Sequence, residues 1–383
     1  MTSAFAAAPS LHAAIASLMP GSPRSYEHAP LSPAERDLLR VEAERHHVLP
    51  LLARAAGPAA EPELIAAARQ TALRSLAAVD TLRRAMAALA DAGVPALAWK
   101  GPALSQLAWG DPGCRESQDL DIVVASEQLH AAREAVESVG WTRRHALSAA
   151  QEAAIFRGQG ALELTGPFDP PLLELHWEFS ALKYAGRLPV GEVLTRARPL
   201  RIAGAELQTP DAADTLALLA QHGCKHAWSR LEDVAVFSTL AARDPGAVVE
   251  AHARAAPVGG GRAVRLAVEL GARVLGVDRP ATLAAACSLD QALVPLAREV
   301  AARWARGKTD SRTSMRWDLR WADGAADRVR LLRHAALDPT LREWEALRLP
   351  DALVGLYPVF RPFRRLWSAT RGERPADARP ARR

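Results

Sequence analysis

The segment from Val94 to Val124, VPALAWKGPALSQLAWGDPGCRESQDLDIVV, constrains the fold more than any other part of the chain. An apolar run ends at a Lys-Gly pair, a short helical stretch follows, and a second apolar run opens with Asp119-Leu120-Asp121. Because side chains alternate along a strand, Asp119 and Asp121 are expected to share a face, about 7 Å apart at ~3.3 Å per residue. Two such carboxylates repel each other unless a cation lies between them, and oxygen ligands of this kind suit Mg²⁺. The segment therefore predicts an α/β unit with a divalent-metal site.

The length and amino-acid composition of the chain limit the kinds of protein that it can be. The 383 residues allow two or three modules, and a hydrophobic content of 49% is ample for sizeable cores. No apolar run reaches the roughly 20 residues of a membrane span, and Met1–Ser22 lacks the basic start and long apolar run of a secretory signal. Cys114, Cys224 and Cys287 are scattered, so neither a disulfide framework nor a cysteine metal site is expected. A cytoplasmic location and no membrane partner are predicted.

The positive charge of the chain is concentrated at its end. The formal net charge is +5, but residues 361–383 contain eight arginines against Glu373 and Asp377, which gives +6 there and about −1 for the remainder. A Pro/Ala/Arg segment without periodicity predicts a disordered basic tail, and the part from about Ser368 is predicted to be dispensable for stability. A dedicated nucleic-acid site is not expected. The oligomeric state stays open.

The periodicity of apolar residues divides the chain into four regions. Residues 1–92 are predicted to be helical, with Ser32-Pro33 starting one helix and Gly93 ending another. Residues 93–205 alternate between strands and helices, which predicts an α/β (α+β) fold with a small mixed sheet. Residues 206–350 return to helices, starting at Thr209-Pro210-Asp211. Residues 351–383 form a C-terminal segment that contains the basic tail.

Five strands are predicted within the α/β core. In the last of them, alternation places Glu174 and His176 on the face opposite Leu173 and Leu175. The predicted strands are Val94–Trp99, Leu120–Val124, Trp141–Leu147, Ala161–Thr165 and Leu172–Phe179.

The order of these features resembles a known family. An apolar strand, Lys-Gly, a helix, Arg, Asp-x-Asp, a helix and a carboxylate-x-His-Trp strand are similar to the bacterial nucleotidyltransferase-like family, which has the DNA-polymerase-β nucleotidyltransferase fold. The similarity extends to HGCKHAWSRL at His222–Leu231 and to LYPVFRPFRRLW at Leu356–Trp367. The resemblance covers residues 32–367 of the chain. Several genes of the family lie beside lasso-peptide biosynthesis genes.

The resemblance implies an activity and a set of residues. It implies transfer of an NMP group from an NTP to a hydroxyl of a small molecule or peptide, with Mg²⁺ or Mn²⁺ as the cofactor. Glu174 is implied as the third metal ligand and Lys100-Gly101 as the phosphate loop. Arg115 is a second candidate for phosphate contact, or a surface partner of Glu116 or Asp111. The implied metal ligands are Asp119, Asp121 and Glu174.

One position departs from the pattern of the superfamily, which usually has Ser or Thr after the glycine. Here that residue is Pro102, which supplies neither a hydroxyl nor an N–H. Two alternatives therefore stay open: metal-dependent glycosyl transfer from a sugar nucleotide, and a non-catalytic nucleotide-binding or interaction module.

Four residues of the predicted helical half and one strand histidine have open roles. His222 and His226 have the i, i+4 spacing of zinc ligands, but no third ligand is evident, and a packed pair is the alternative. Lys225 and Arg230 are candidates for contact with a triphosphate. His176 either orients Glu174 or the acceptor, or is a hydrogen-bonded core residue.

Overall fold

The structure is a computed structural model that describes residues 4–22, 31–117, 119–166, 172–309 and 313–370. It contains the predicted mixture of helices and a small sheet. The helices of the first two regions are α1 Ala4–Ser17, α2 Pro33–Arg45, α3 Leu49–Ala56, α4 Pro62–Asp91, α5 Gly101–Trp109, α6 Leu129–Ser138, α7 Ala149–Phe156 and α8 Val190–Thr195. The later helices are α9 Ala212–Lys225, α10 Leu231–Arg243, α11 Pro245–Ala255, α12 Gly261–Leu270, α13 Ala281–Leu289, α14 Leu293–Ala305, α15 Met315–Trp321, α16 Ala325–Leu337, α17 Leu341–Ala346 and α18 Tyr357–Thr370.

The strands form a five-stranded mixed sheet and a separate hairpin. Their bounds are β1 Ala96–Trp99, β2 Asp119–Val124, β3 Thr142–Arg143, β4 Ala161–Thr165, β5 Leu172–His176, β6 Arg198–Ile202 and β7 Ala205–Thr209. The order in the sheet is β1-β2-β5-β4-β3, and β6 pairs with β7. Strands β2 and β5 are parallel, whereas the other neighbours are antiparallel. The predicted α/β fold with flanking helices is confirmed.

The two faces of the sheet meet different partners. Leu120, Ile122 and Val124 of β2 pack in one core together with α4, α6 and the β6–β7 hairpin. Val123 lies on the opposite face, in a second core that includes Trp99 and most of α9–α14. Because alternate residues of a strand share a face, the Asp121 face of β2 is directed toward the helical half of the chain. The candidate site residues therefore lie at the boundary between the sheet and that half.

Most predicted helix boundaries are confirmed, and their local chemistry explains them. Ser32 caps α2 through a capping box with Glu35. The helix predicted at Thr209-Pro210-Asp211 forms, but it begins at Ala212, because Asp211 is the residue whose side chain accepts the N–H of Asp214, at 2.8 Å.

Three predicted strands are shorter in the structure. The strand predicted at Val94–Trp99 begins at Ala96. The strand predicted at Trp141–Leu147 is reduced to β3, because Ser148 starts α7 with a capping box. The strand predicted at Leu172–Phe179 ends at His176, since the next two backbone N–H groups both donate to the carbonyl of Gly160, at 2.9 and 3.1 Å.

The β6–β7 hairpin was not predicted. It turns at Ala203-Gly204, where φ is 46° and 79°. Two-residue hairpins favour turns with positive φ, which are usually marked by Asn-Gly or Asp-Gly. The alanine in place of Asn or Asp removes the usual sequence signal.

The C-terminal region is more ordered than predicted up to Thr370. Residues 361–370, assigned to the basic tail, belong to α18. Their order follows from charge pairing, since Arg361 and Arg364 donate to the buried carboxylate of Glu343 at 3.0 and 2.6 Å. Residues 371–383 lie outside the described residues, so the dispensability of the tail stays a prediction. Among the described helices, none is both long and apolar enough to cross a membrane.

A buried histidine joins the N-terminal helices to the helical half. His46 is 4% exposed, its Nδ1 accepts the backbone N–H of Leu231 at 3.1 Å, and its ring meets Trp304 edge-on at 5.2 Å. Burial, followed by the charge of His12, lowers the pKa of His46 to about 3. The imidazole is therefore neutral in the folded protein at all ordinary pH values.

This histidine should make stability fall with acidification. Its folded pKa of about 3 lies below the ordinary value of 6.5, so its stabilisation is present above pH 6.5 and is lost as pH falls toward 3. At pH 5 the loss from His46 should be about 2 kcal/mol. Urea unfolding at pH 7.5 and pH 5 should show this loss in the wild type and a smaller one in His46→Gln. The exposed His130→Gln variant should behave as the wild type, and an equal loss in all three proteins would contradict this role.

Candidate active site

The site begins at the turn that joins β1 to α5. Lys100 has φ 62° and ψ −154°, and Gly101 follows with φ 52°, so two consecutive residues leave the ordinary right-handed region. A Cβ on Gly101 would lie 3.5 Å from both the Asp119 carbonyl oxygen and Ser117 Oγ. Glycine is favoured here by the positive φ more than by this ordinary contact distance. The strained backbone at Lys100 directs its side chain back across the end of β2.

Pro102 fits this turn without distortion. It occupies the first turn of α5, where a backbone N–H would have no partner within the helix. Leu104 makes the first helical bond, to the carbonyl of Lys100 at 3.2 Å. The N–H groups of Gly101 and Ala103 are thus the backbone donors that this helix end can offer to an anion.

Strand register brings the acidic residues together. Asp121 is the direct partner of Trp99 on β1 and of Glu174 on β5. Directly opposed residues project on the same face, so the Asp121 and Glu174 side chains are neighbours, and His176 follows two residues after Glu174 on that face. Lys100 immediately follows Trp99 and therefore reaches the same point. Four chemically active side chains thus meet at one place from three strand ends.

Asp121 is the centre of this cluster. Its Oδ1 accepts from Lys100 Nζ at 3.0 Å and lies 2.9 Å from His176 Nε2. His176 Nε2 is also 3.3 Å from Glu174 Oε2. The side chain of Asp121 is 1% exposed, whereas that of Glu174 is 15% exposed. The carboxylate pair is therefore joined by a histidine and neutralised by a lysine.

The charges of the cluster stabilise one another. Burial alone would raise the pKa of Asp121, but Lys100 and then His176 outweigh it and hold the pKa below its usual range. Burial lowers the pKa of His176, yet its bonds to Asp121 and Glu174 raise it to about 9. The pKa of Lys100 is likewise raised, because Asp121 outweighs the cost of its burial. At neutral pH two cations thus face Asp121.

The cluster fits a divalent cation by its donor atoms. Asp121, Glu174 and His176 each offer one ligand atom, and these atoms lie within 4.8 Å of one another. Asp121 Oδ2 is buried and has no hydrogen-bond partner in the described part of the chain. An unpaired carboxylate oxygen at a buried position is costly, and a cation would satisfy it. Two carboxylates and an imidazole are ligand types used for divalent metals.

Asp119, the other half of the predicted pair, is placed differently. It is half-buried at the start of β2, and it is not one of the three residues whose ligand atoms cluster. Its charge still acts on Lys100, whose pKa it raises. A ligand role for Asp119 stays a prediction, and His176 occupies the third place in the observed group.

The sequence predicted repulsion between the carboxylates of the site, but this repulsion does not determine the charge state of Asp121. Asp121 lies against Lys100 and His176, and both hold its pKa low, so attraction to these two groups outweighs repulsion from the neighbouring carboxylate. Removal of Asp121 would leave two buried cations without their partner.

Arg115 and Arg230 lie toward the helical half. Arg115 Nε is 3.4 Å from Glu232 Oε1 of α10, and both side chains are almost fully buried. Burial raises the pKa of Glu232 to about 7, although Arg115 favours its charged form. The expected partners of Arg115, Glu116 and Asp111, are therefore replaced by Glu232. Arg230 precedes α10 as its N-cap residue.

Lys225 and the histidine pair stand at the end of α9. Burial, followed by repulsion from Lys100, lowers the pKa of Lys225 to about 8, while Glu174 acts in the opposite sense. The same two causes hold the pKa of His222 well below its usual range. His222 and His226 pack with ring centroids 4.5 Å apart. Within the residues that the structure describes, neither belongs to a group of three possible metal ligands, which favours the packed pair.

The end of α9 is fixed by two tryptophans. Trp317 Nε1 donates to the Cys224 carbonyl at 2.7 Å, and Trp304 Nε1 donates to the Trp228 carbonyl at 2.9 Å. Both carbonyls belong to the last turn of the helix and the residues after it, where acceptors otherwise lack partners. These two bonds fix the helix end that carries Lys225, whose charge interacts with those of Glu174 and Asp121.

Two contacts of the site were not predicted from the sequence. The ion pair of Lys100 with Asp121 depends on the antiparallel register that places Trp99 opposite Asp121. The pairing of Arg115 with Glu232 joins residues 117 positions apart in the chain. The sequence did contain a signal for His176, because alternation along the strand places it on the same face as Glu174.

Removal of the central carboxylate should destabilise the protein. Asp121→Asn should lower the free energy of unfolding by about 3–5 kcal/mol, the usual cost of breaking a buried ion pair from one side. Glu163→Gln is the matched control, because Glu163 lies directly opposite Glu174 on β4 but pairs with the exposed Arg144 at 2.6 Å. It should change stability by less than about 1 kcal/mol. Equal stabilities of Asp121→Asn and wild type in urea would show that the ion pairs contribute nothing.

Comparison with known proteins agrees with this geometry. The uncharacterised nucleotidyltransferase family matches the chain over residues 32–276, which is more than half of its length and includes every residue of the cluster. No curated protein matches the chain. The matched region contains the Lys-Gly turn, the Asp-x-Asp strand and the Glu-x-His strand in the order described above. The chain belongs to the uncharacterised nucleotidyltransferase family.

Proposed function

We propose that the protein is a metal-dependent nucleotidyltransferase that moves an NMP group from an NTP to a hydroxyl of a small molecule or peptide. The observation that carries this proposal is the buried carboxylate of Asp121, which has Glu174 beside it on the next strand and one oxygen that no described residue contacts by a hydrogen bond. Family membership supports the same reaction class.

The acidic residues would hold the cofactor. Mg²⁺ or Mn²⁺ bound by Asp121 and Glu174, with His176 or Asp119 as a further ligand, would neutralise the charge that develops on the phosphates. Lys100 would then exchange Asp121 for a phosphate oxygen, since its ammonium is a mobile point charge on a flexible stem. Lys100 and His176 neutralise Asp121, so the protein itself supplies part of the charge compensation that the buried carboxylate requires.

The remaining groups would bind the triphosphate. The N–H groups of Gly101 and Ala103 offer donors at the start of α5, and Pro102 leaves that helix end one donor short. Lys225 faces the carboxylate pair from the helical half, and its lowered pKa records a buried ammonium that an anion would stabilise. Phosphate binding between Lys100 and Lys225 would compensate for the missing hydroxyl at position 102.

The reaction itself would be an in-line displacement. The acceptor oxygen forms a bond to the α-phosphorus while the bond from that phosphorus to its bridging oxygen breaks, and pyrophosphate leaves. Glu174 is the group placed to take the proton of the acceptor hydroxyl, because it is the more exposed of the two carboxylates. Asp121 is almost completely buried, so it would act as a metal ligand and not as the base.

A second candidate follows from one specific observation. Asp121 is already neutralised by Lys100 and His176, and a site that is balanced in this way could bind nucleotide without turning it over. If the metal binds a sugar nucleotide, the alternative reaction is glycosyl transfer. Family membership favours nucleotidyl transfer over this reaction.

Labelled nucleotides separate these functions. The protein is incubated with Mg²⁺, a host extract, and NTPs labelled with ³²P at the α or the γ position. Transfer of α-label to an acceptor with release of pyrophosphate is the expected result. Transfer of γ-label would identify a kinase, and modification only from a UDP-sugar would identify a glycosyltransferase. Nucleotide binding without any transfer would favour the non-catalytic module.

Variants test the assignment of residues in that assay. Glu174→Gln should reduce transfer by about 100-fold or more, as losses of a single electrostatic group at a transition state do. It is preferred to a substitution of Asp121, because Glu174 is partly exposed and its loss should leave the fold intact. Glu163→Gln should retain wild-type activity. Full activity in Glu174→Gln would remove this residue from the mechanism.

A further inference from the structure

A serine hydroxyl lies against the Lys-Gly turn of the candidate active site. Ser117, in the connection between α5 and β2, has its Oγ 3.5 Å from the position that a Cβ on Gly101 would occupy. This oxygen is buried, and no described residue contacts it by a hydrogen bond. A buried hydroxyl without a partner costs free energy, because it gives up its hydrogen bonds to water and gains none. The cost falls at the turn where phosphate binding is already proposed.

The segment that carries Ser117 is fixed to helix α4. The hydroxyl of Ser75 on that helix donates to the carbonyl of Arg115 at 2.6 Å. Residues 115–117 are half-buried, so the segment reaches the surface while the Ser117 oxygen is directed inward. With the backbone held in this way, rotation about χ1 is the main freedom left to the hydroxyl. A small rotation is enough to turn it toward a ligand at the start of α5.

The groups around this hydroxyl favour an acceptor as its partner. Lys100 immediately precedes Gly101, and Arg115 lies two residues before Ser117. Ammonium and guanidinium groups donate hydrogen bonds and accept none, and the N–H groups at the start of α5 are donors as well. Arg115 Nε lies near Glu232 but makes no hydrogen bond with any described residue. A ligand whose polar atoms are acceptor oxygens, such as a phosphate, matches this set of donors.

The position of Ser117 also matches what Pro102 lacks. Pro102 follows Gly101 in the turn and brings no hydroxyl. Ser117 approaches the same glycine from the connection that leads to β2. A hydroxyl supplied from this connection leaves the proline to stabilise the first turn of α5. The start of the helix and the hydroxyl are thus provided by two residues instead of one.

We propose that Ser117 Oγ donates a hydrogen bond to a phosphate oxygen of the bound nucleotide, in place of a hydroxyl at position 102. Ser117 is a binding residue and takes no part in proton transfer or in metal binding. The identity of the ligand rests on the proposed function, but the role of Ser117 concerns the binding of the triphosphate and not its turnover.

Calorimetric titration with inorganic triphosphate and Mg²⁺ tests this role, because the probe has no base and undergoes no nucleotidyl transfer. Ser117→Ala should lower the affinity about tenfold or more, the usual effect of losing one hydrogen bond to a charged group. Its melting temperature should equal or exceed that of the wild type, because the variant removes a buried hydroxyl that has no partner. A melting temperature several degrees lower would assign Ser117 to the support of the fold and overturn the proposal.

The matched control for this variant is Ser238→Ala. Ser238 on α10 is 1% exposed, its Oγ has no hydrogen-bond partner among the described residues, and it likewise lies against a glycine, Gly271. This variant should also keep or raise the melting temperature, but it should bind triphosphate as the wild type does. Equal losses of affinity in the two serine variants would contradict a specific role for Ser117.

A double-mutant cycle tests whether one hydroxyl replaces the other. In a Pro102→Ser background, which returns a hydroxyl to the turn, Ser117→Ala should lower the triphosphate affinity by less than about threefold. The same loss in both backgrounds would show that the two positions are not equivalent and would overturn the proposal.

An unchanged affinity in Ser117→Ala, or no binding of triphosphate to the wild-type protein, would likewise overturn the proposal. These results are distinct from a failure of the proposed function. Triphosphate binding that depends on Ser117, without transfer of α-label in the nucleotide assay, would leave Ser117 as a phosphate-binding residue and remove the transferase activity. Transfer of α-label by a protein whose triphosphate affinity does not depend on Ser117 would do the reverse.

Discussion

A carboxylate at the boundary between a sheet and a helical half is the constraint on which the remaining site depends. Asp121 is almost completely buried, so its charge requires compensation, and Lys100 and His176 supply it at 3.0 and 2.9 Å. The unusual backbone at Lys100-Gly101 is the means by which the lysine reaches this point. The parallel pairing of β2 with β5 brings His176 to the same carboxylate. Strand register, turn conformation and charge are therefore parts of one arrangement.

The same arrangement explains how one set of residues serves both folding and chemistry. A pair of neighbouring carboxylates would be costly in a metal-free protein, but the two protein cations stabilise it. Asp121 Oδ2 is nevertheless left without a partner in the described structure, and Glu174 stays partly exposed. The centre is thus neutral enough to fold, and within the described residues Asp121 Oδ2 is left for a ligand. Lys225, held by the tryptophan contacts at the end of α9, adds positive charge from the opposite side.

The sequence predicted the elements better than their contacts. Alternation of apolar residues identified β2 and β5, and capping residues identified the starts of α2 and α9, because these signals are local. The β6–β7 hairpin escaped prediction, since its Ala-Gly turn lacks the usual residues. The partners of Asp121 and Arg115 could not be derived, because both depend on the registers and packing of segments distant in the chain. Asp119 was named from strand alternation and from the family resemblance, and alternation does not determine which of two carboxylates becomes buried. The helical order of residues 361–370 was missed for a similar reason, since the charge that fixes Arg361 is the distant Glu343.

The central claim is that Asp121 and Glu174 together can hold a divalent cation in place of the Lys100 ammonium. Calorimetric titration of the metal-free protein with Mn²⁺ measures this directly. The account predicts a saturable site in the wild type and in Glu163→Gln, and its loss in Glu174→Gln. Mn²⁺ should also raise the affinity for an NTP in the first two proteins only. Identical nucleotide affinity with Mn²⁺ and with EDTA, or a wild-type Mn²⁺ isotherm in Glu174→Gln, would contradict the account.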